Sequence, residues 1–557
     1  MKRTILLLML AVATAAPACT NLIVSRGAST DGSTFITYAA DSHVRYGQLR
    51  YCPAADHEPG EMLKLYNYGS LKFQIEIAQP AHTYQVVGFI NEHQLAIGET
   101  TWGGRKELEH GSGVGIDYGN LIYVTLQRAR NCREAIKVMH ELVSTYGYSD
   151  GGESFSIADP DEVWIYEIIN KGDEKGAVWV ARRVPDGYIC GHANQARITT
   201  FPWEQKKSNK SISSKHIDKV FDKDVECVYS EDVASYARKR GWFSGRNEDF
   251  SFADTYNPLT FSGLRACEAR VYAMFNRCAD GMKKYEAYAM GDANAERLPL
   301  WVKPNRKLDV QDVMALMRDH FEGTPMDMTQ DVGAGPFHCP YRWRPMGFEL
   351  DGHSYIHERA TSTQQTGFSF VAQCRSWLPD KVGGIIWFGV DDTYSTVYCP
   401  MYCGITEIPL CFRQGNGDML TYSETSAFWL FNRVTNFVYS RYSDMIVDLQ
   451  KVQNNLEEGY IADVKKFDQR AKESTGEALE RQLNDFSGRA AERMMKEWNN
   501  LDKYLLVKYI DGNIKKEKDG KFERTATGNA VFPSQPHYRQ EWQRMIVRDH
   551  GDVIREK

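Results

Sequence analysis

The stretch that decides the fold reads Ala16-Pro17-Ala18-Cys19-Thr20-Asn21-Leu22-Ile23-Val24, followed by Ala28-Ser29-Thr30-Asp31-Gly32 and Ser33-Thr34-Phe35-Ile36-Thr37-Tyr38. The two apolar, β-branched runs predict strands and the polar segment between them a turn, so the unit is a hairpin with Cys19 at its tip. Upstream, Lys2 and Arg3, the apolar run from Ile5 to Val12 and the small residues up to Ala18 predict a signal peptide over residues 1–18. That run is too short to cross a membrane. Cleavage at the small-x-small site would make Cys19 the first residue of an exported chain, periplasmic or extracellular. Its thiol would then lie beside its own α-amino group, a base able to form the reactive thiolate. The unperturbed pKa values, roughly 8.5 for the thiol and 7.7–8.0 for the amine, are close enough for proton exchange near neutrality. Two other readings of Cys19 stand beside this one: a structural cysteine of a secreted protein, and a lipoprotein cysteine whose amine is acylated. Ala16 stands where a lipidation box usually carries a leucine-like residue, which disfavours the lipid anchor.

The chain has 557 residues, room for several average domains or for one or two large ones. With 42% hydrophobic, 25% charged and 12% aromatic residues it reads as a packed, sheet-containing body rather than a disordered one. A net charge of −6 gives no electrostatic reason to expect nucleic acid. After the leader no apolar run approaches the ~18 residues of a membrane span. Of twelve cysteines, setting Cys19 aside leaves an odd number, so at least one more thiol has no partner within the chain. Cys399 and Cys403, with Cys411 soon after, predict a local disulfide or buried thiols rather than a zinc site, because no second ligand pair or nearby histidines accompany them. No metal and no organic cofactor is expected.

Strands are predicted at Gln85 to Phe89 and Leu95 to Thr100, joined through Asn91-Glu92-His93. Helical spacing covers Leu121 to Ala129, and a second helix starts at an Asn131 cap with Glu134 three residues on, its apolar face being Ala135, Val138, Met139, Leu142 and Val143. Strands return at Phe155 to Ala158, Val163 to Ile168, Ala177 to Val184 and Tyr188 to Cys190. The lysine- and serine-rich stretch from Lys206 to Lys219 reads as an exposed loop, as does Gly111-Ser112-Gly113-Val114-Gly115, which lacks dinucleotide-fingerprint spacing. From Tyr422 to about Ile510 the pattern is helical, with Ala427, Leu430, Phe431, Val434, Phe437, Val438 and Tyr442, then Leu479, Leu483, Phe486 and Ala490. The apolar spacing departs from a strict heptad, so packing on the body is favoured over a coiled-coil partner. The expected organisation is a leader over 1–18, a catalytic domain over 19–421 and a mainly helical extension over 422–557.

The run Cys19 to Val24, with Ala28 to Thr34 and Ala40-Asp41-Ser42, resembles the mature start of the bacterial secreted dipeptidases, cysteine N-terminal-nucleophile hydrolases related to penicillin V acylase and bile salt hydrolase. The likeness continues through Asn91-Glu92, Ile97-Gly98-Glu99-Thr100-Thr101, Ile157-Ala158-Asp159, Trp164, Glu167 and Trp179 to Gly187. It takes in Asn194, Asp254 to Arg270, Glu322 to Asp327 and Trp387 to Pro409.

That resemblance implies an α+β protein, a four-layer αββα sandwich with the nucleophile at a strand end, acting on short peptides. By it, Cys19 would attack a peptide carbonyl while its α-amine carries the proton to the leaving group. Asp41 would orient that amine; a lone turn acid is its plain alternative. Asn194 would supply an oxyanion donor, worth about 2.7–4 kcal/mol by analogy with other oxyanion donors. Arg270 would place positive charge near the thiol; a helix-surface ion pair is its alternative. Thr101 falls near a second oxyanion asparagine of the acylases, where a backbone N–H could serve in place of the side chain. Tyr38 departs from the arginine that the superfamily commonly has there, so either another cation compensates or the pocket differs. Two rivals remain open: an acylase acting on N-acyl amides of bile-salt or penicillin V type, and a non-catalytic envelope protein that binds peptides.

Overall fold

The computed structural model describes residues 19–109, 111 and 113–557; the leader, His110 and Ser112 lie outside the described residues. The chain first forms β1 (Asn21–Val24), β2 (Thr34–Asp41), β3 (Tyr51–Cys52), β4 (Val86–Val87), β5 (Ile90–Asn91) and β6 (Ala96–Thr101). Helices α1 (Tyr118–Leu126) and α2 (Cys132–Tyr146) follow. Next come β7 (Glu153–Ala158), β8 (Val163–Lys171), β9 (Glu174–Arg183), β10 (Ile189–His192), β11 (Ser211–Ser213) and β12 (Cys227–Tyr229). Helix α3 (Ala269–Cys278) precedes β13 (Trp301–Val302), β14 (Thr366–Cys374), β15 (Ile385–Val390) and β16 (Cys399–Tyr402). Three long helices then close the body: α4 (Ala427–Ser440), α5 (Tyr442–Ala471) and α6 (Gly476–Tyr509).

The fold is α+β. A seven-stranded sheet runs β13-β10-β1-β2-β14-β15-β16, and a nine-stranded sheet runs β11-β12-β9-β8-β7-β6-β5-β4-β3. Neighbours in the first sheet are antiparallel throughout. β2 packs against β6 and β7, α1 and α2 pack on the nine-stranded sheet, and α4, α5 and α6 pack on β15 and β16. Strands covered on both faces have no wet side, so β8 reads as one buried run from Val163 to Asn170 instead of alternating. Gly98 marks how closely the sheets approach: a Cβ there would meet Asn21 Nδ2 at 2.8 Å and the Thr37 carbonyl at 3.3 Å.

Several expectations change in detail. Cys19 lies at the open end of the first hairpin, opposite the turn, because Thr20 pairs with Ala39 while Val24 pairs with Phe35 nearer the loop. Within Gln85 to Phe89 only Val86 and Val87 are strand, β4, which turns back on β5 just beyond it, and β5 meets β6 at Ala96. The Lys206 to Lys219 stretch is not all exposed loop: Ser211 to Ser213 form the buried strand β11, parallel to β12, and a 3-10 helix spans Ser214–Phe221. Its single apolar Ile212 gave too short an alternation to register. The Asn131 cap is present, its side chain accepting from the Glu134 N–H at 2.9 Å. The helical run starts at Ala427 rather than Tyr422. All twelve cysteines, including Cys399, Cys403 and Cys411, are free thiols. Among the described residues no helix is long and apolar enough to cross a membrane.

Candidate active site

Cys19 immediately precedes β1, and reciprocal Thr20 and Ala39 backbone bonds of 3.3 and 3.0 Å hold its end of the strand against β2. The residue is 3% exposed. Its Sγ faces Tyr38 Oη at 3.7 Å and Glu99 Oε1 at 3.8 Å. Burial pushes the thiol well above its usual range, and the Glu99 and Asp41 carboxyls push it further; the Tyr38 hydroxyl and the Asp41 backbone N–H act the other way.

Asp41 ends β2 at a register irregularity following Ala40, a local kink of the kind that re-aims a side chain. Its buried carboxylate accepts from Thr366 Oγ1 at 2.7 Å and meets Arg359 Nη2 at 3.3 Å. Burial pushes Asp41 up to about 6, against the pull of Arg359, Thr366, Arg270 and Arg344. Asp41 is no turn acid.

Arg270, near the start of α3, is fully buried rather than paired on a helix surface. Its Nε donates to the Ala266 carbonyl at 2.8 Å. Nη1 donates to the Cys19 carbonyl and to Thr20 Oγ1, both at 2.7 Å, and Nη2 to the Ala193 carbonyl at 3.2 Å and Asn194 Oδ1 at 2.8 Å. All five guanidinium donors are thus spent on neutral acceptors, four of them on the Cys19-Thr20 segment and the Asn194 turn. Arg270 grips the backbone of Cys19, not its sulfur.

Asn194 has a positive φ of 59°, a left-handed conformation that costs a non-glycine residue energy and needs outside support. Support comes from Arg270 on its Oδ1 and from its own Nδ2, which donates to the Thr101 carbonyl at 2.5 Å. The following residues are held by Glu167, whose carboxylate accepts the Arg197 and Ile198 N–H groups at 2.6 and 3.0 Å. Arg197 in turn pairs with Glu268 at 2.9 Å, tying this loop to the helical turn that leads into α3 and Arg270. The Thr101 side chain is committed elsewhere, donating to Glu153 Oε1 at 2.7 Å.

The structure therefore gathers Cys19, Asp41, Asn194 and Arg270 around one buried point. Sequence reasoning missed Glu99, Glu153 and Arg359. Glu99 carried a signal, a lone acid inside the apolar β6 run; Arg359 lies in a loop without periodicity and had none. Tyr38 was noticed only as a departure. Its hydroxyl donates to Glu99 Oε1, and its ring sits edge-on to Phe89, Phe368 and Phe370 with centroids 5.4, 5.7 and 5.7 Å away. Cations do approach this region from other positions: Arg359 on Asp41, and Arg45, whose charge acts on Tyr38 and Glu99.

The α+β body thus holds a buried thiol whose backbone is joined through Arg270 to an amide, with a buried acid close by. The family profile described as Peptidase family C69 matches residues 18–455, and the chain belongs to that family: it is a peptidase, a hydrolase of peptide bonds. It is 24% identical to the "Probable dipeptidase B" of Lactococcus lactis subsp. lactis (strain IL1403), covering 78% of this chain and 83% of that protein. It is 24% identical to the "Probable dipeptidase" of Salmonella dublin over 70% of this chain and 81% of that one. Identity to the "Dipeptidase" of Bifidobacterium longum (strain NCC 2705) is 22%, over 75% and 76% of the two chains.

Proposed function

We propose that this peptidase is an exported cysteine dipeptidase whose mature form begins at Cys19 and whose fold is the four-layer αββα sandwich of the N-terminal-nucleophile hydrolases. The observation that carries the reading is the Arg270 clamp, which joins the Cys19 carbonyl to the Asn194 carboxamide. The names of the relatives and the sheet-on-sheet packing with outer helices support it further.

In the full chain the nitrogen of Cys19 belongs to the Ala18 peptide bond and cannot accept a proton. With the thiol also held protonated by burial and neighbouring acids, the uncleaved chain lacks a base. Cleavage after Ala18 would turn that nitrogen into an amine, which the neighbouring Asp41 carboxylate, whose charge is felt at the thiol, would orient. The amine takes the thiol proton, Sγ bonds to the substrate carbonyl carbon, and the resulting oxyanion is met by the Asn194 amide. Collapse breaks the C–N bond as the ammonium returns its proton to the leaving amine; water, deprotonated by the same amine, then frees the acid from the thioester.

The test is expression in an exporting host, thiol alkylation and mass spectrometry of the mature N-terminal peptide, followed by turnover of a dipeptide panel and of N-acyl amino acids. The expected peptide begins at alkylated Cys19 with a free amine, and dipeptides are the better substrates. Cys19→Ala abolishes hydrolysis, and Cys19→Ser loses at least roughly a thousandfold in kcat, since a hydroxyl is the weaker nucleophile. Full activity in Cys19→Ala would overturn the proposal.

A further inference from the structure

Glu99 and Glu153 are two buried acids that the steps above do not use. Strand register brings them together: Thr101 of β6 pairs with Glu153 of β7, so Glu99, two residues earlier, lies on the same face and diagonal to Glu153. Each is 1% exposed. Their carboxyls are close enough to share a hydrogen bond, and burial pushes both above the usual carboxylate range. One oxygen of each is occupied, Glu99 Oε1 by the Tyr38 hydroxyl and Glu153 Oε1 by the Thr101 hydroxyl. The other, Oε2 in both, has no partner among the N–H and hydroxyl donors of the described residues, so the two carboxyls can satisfy each other only by sharing a proton.

The surroundings are acid-rich. Asp150 is pushed up to about 7 by burial, with Asp117 and Glu99 adding to the push. The cation facing the group is Arg45, which is already engaged: it donates to the Tyr118 hydroxyl at 2.5 Å and lies over the Tyr68 ring at 4.2 Å. Two buried carboxyls that depend on one shared proton, in a field with more acid than base, are better satisfied by a ligand that brings positive charge and N–H groups.

We propose that Glu99, backed by Glu153, receives the α-ammonium of the substrate's first residue and so makes a free N-terminus the condition for efficient cleavage. The inference rests on the dipeptidase reading of Cys19. In any peptide cleaved after its first residue, the ammonium nitrogen is two bonds from the scissile carbonyl carbon. When Cys19 Sγ reaches that carbon, the ammonium is confined to within a few ångströms of the sulfur, and Glu99 Oε1 is 3.8 Å from it. An ammonium offers three donors and a full charge; an N-acylated residue offers one neutral N–H and extra bulk, leaving the carboxyl oxygens unpaired. The same geometry therefore selects dipeptides over N-acyl amides.

The experiment measures kcat and KM for alanyl-alanine and N-acetyl-alanyl-alanine with wild type, Glu99→Gln and Glu153→Gln. Wild type is expected to prefer the free amine, and Glu99→Gln, whose effect on the neighbouring thiol acts on both peptides alike, to lose about tenfold to a hundredfold in the ratio of kcat/KM on alanyl-alanine to kcat/KM on the acetylated peptide, mostly through KM. Equal losses on both peptides, or a wild type that treats them alike, would overturn the inference. Glu153→Gln carries the same prediction from a residue one step further from the thiol, and only a variant that melts like wild type is scored. Calorimetric binding of the same two peptides to Cys19→Ala, with and without Glu99→Gln, separates this idea from the dipeptidase reading. A preference for the free amine that Glu99→Gln erases supports the ammonium site even where wild type shows no turnover; binding without preference sinks it even where turnover is brisk.

Discussion

Asp41 shows at the scale of one residue how the fold sets chemistry. Its position at the end of β2 removes it from water, and burial outweighs the nearby Arg359 in fixing its affinity for protons, which is why it titrates at about 6. Orienting an amine requires the ionised form, because a protonated carboxyl loses acceptor strength and charge together. Below its pKa each unit of pH removes about nine-tenths of the remaining carboxylate, so Asp41 should add to kcat/KM an acid limb with a midpoint no higher than about pH 6, separate from and below the one set by protonation of the Cys19 amine. The ammonium produced at Cys19 would move that midpoint down, never up, since opposite charge favours the carboxylate. A pH–rate profile of wild type against Asp41→Asn checks this: the variant should be slow and show no limb at that position, and an unchanged limb would assign it to another group. Cys19, Asp41, Asn194 and Arg270 were legible in the sequence because each sits in an ordered motif. Glu99 left only the mark of a lone acid in an apolar run, and Glu153 and Arg359 left none, because their places come from a diagonal strand contact and a loop that crosses to β2.

Among the elements, α5 owes its seat to chemistry that periodicity cannot display. The helical pattern from Ala427 onward was readable, and Leu430, Phe431, Val434, Leu479 and Leu483 are buried as that pattern requires. Which face of α5 meets the sheets is also set by charge: Asp468 meets Arg375 at 2.5 Å and accepts from the Tyr402 hydroxyl at 2.7 Å, while Glu457 pairs with Arg318 at 2.6 Å and accepts the Tyr398 N–H at 2.9 Å. Arg375 and Asp468 are 4% and 6% exposed. Removing one member of such a pair strands the other charge in a dry site, which costs about 3–5 kcal/mol. Asp468→Ala should therefore lower unfolding free energy by that order in a denaturant titration, whereas Asp468→Asn, which keeps an acceptor for Tyr402, should cost less. Equal small effects from both would mean that water reaches Arg375 and that packing alone seats the helix. Short, polar elements were the least readable: β11 has one apolar residue, and β4 and β5 have two residues each, so no period could declare them.

The division of the whole molecule near residue 421 is a matter of sequence pattern, and the packing argues that the two sides fold together. α4 and α6 lie against one another through Phe431 and Trp498, whose rings stack at 4.4 Å with Trp498 fully buried. α6 covers β16, the edge strand of the seven-stranded sheet, and the partly buried Arg318 and buried Arg375 of the body depend on carboxylates from α5. A chain ending at 421 would expose that edge, uncover apolar residues of β15 and β16, and leave both arginines unpaired. A chain ending at 512 would lose only residues 513–557, where the helix Gln540–His550 buries no residue. The first truncation is expected to aggregate or to elute without a cooperative melt, and the second to melt close to the full chain and to keep its peptidase activity. If the 421 chain instead folds cooperatively and cleaves dipeptides, α4 to α6 form an independent appendage, and the ion pairs that join them to the sheets contribute little to the stability of the site.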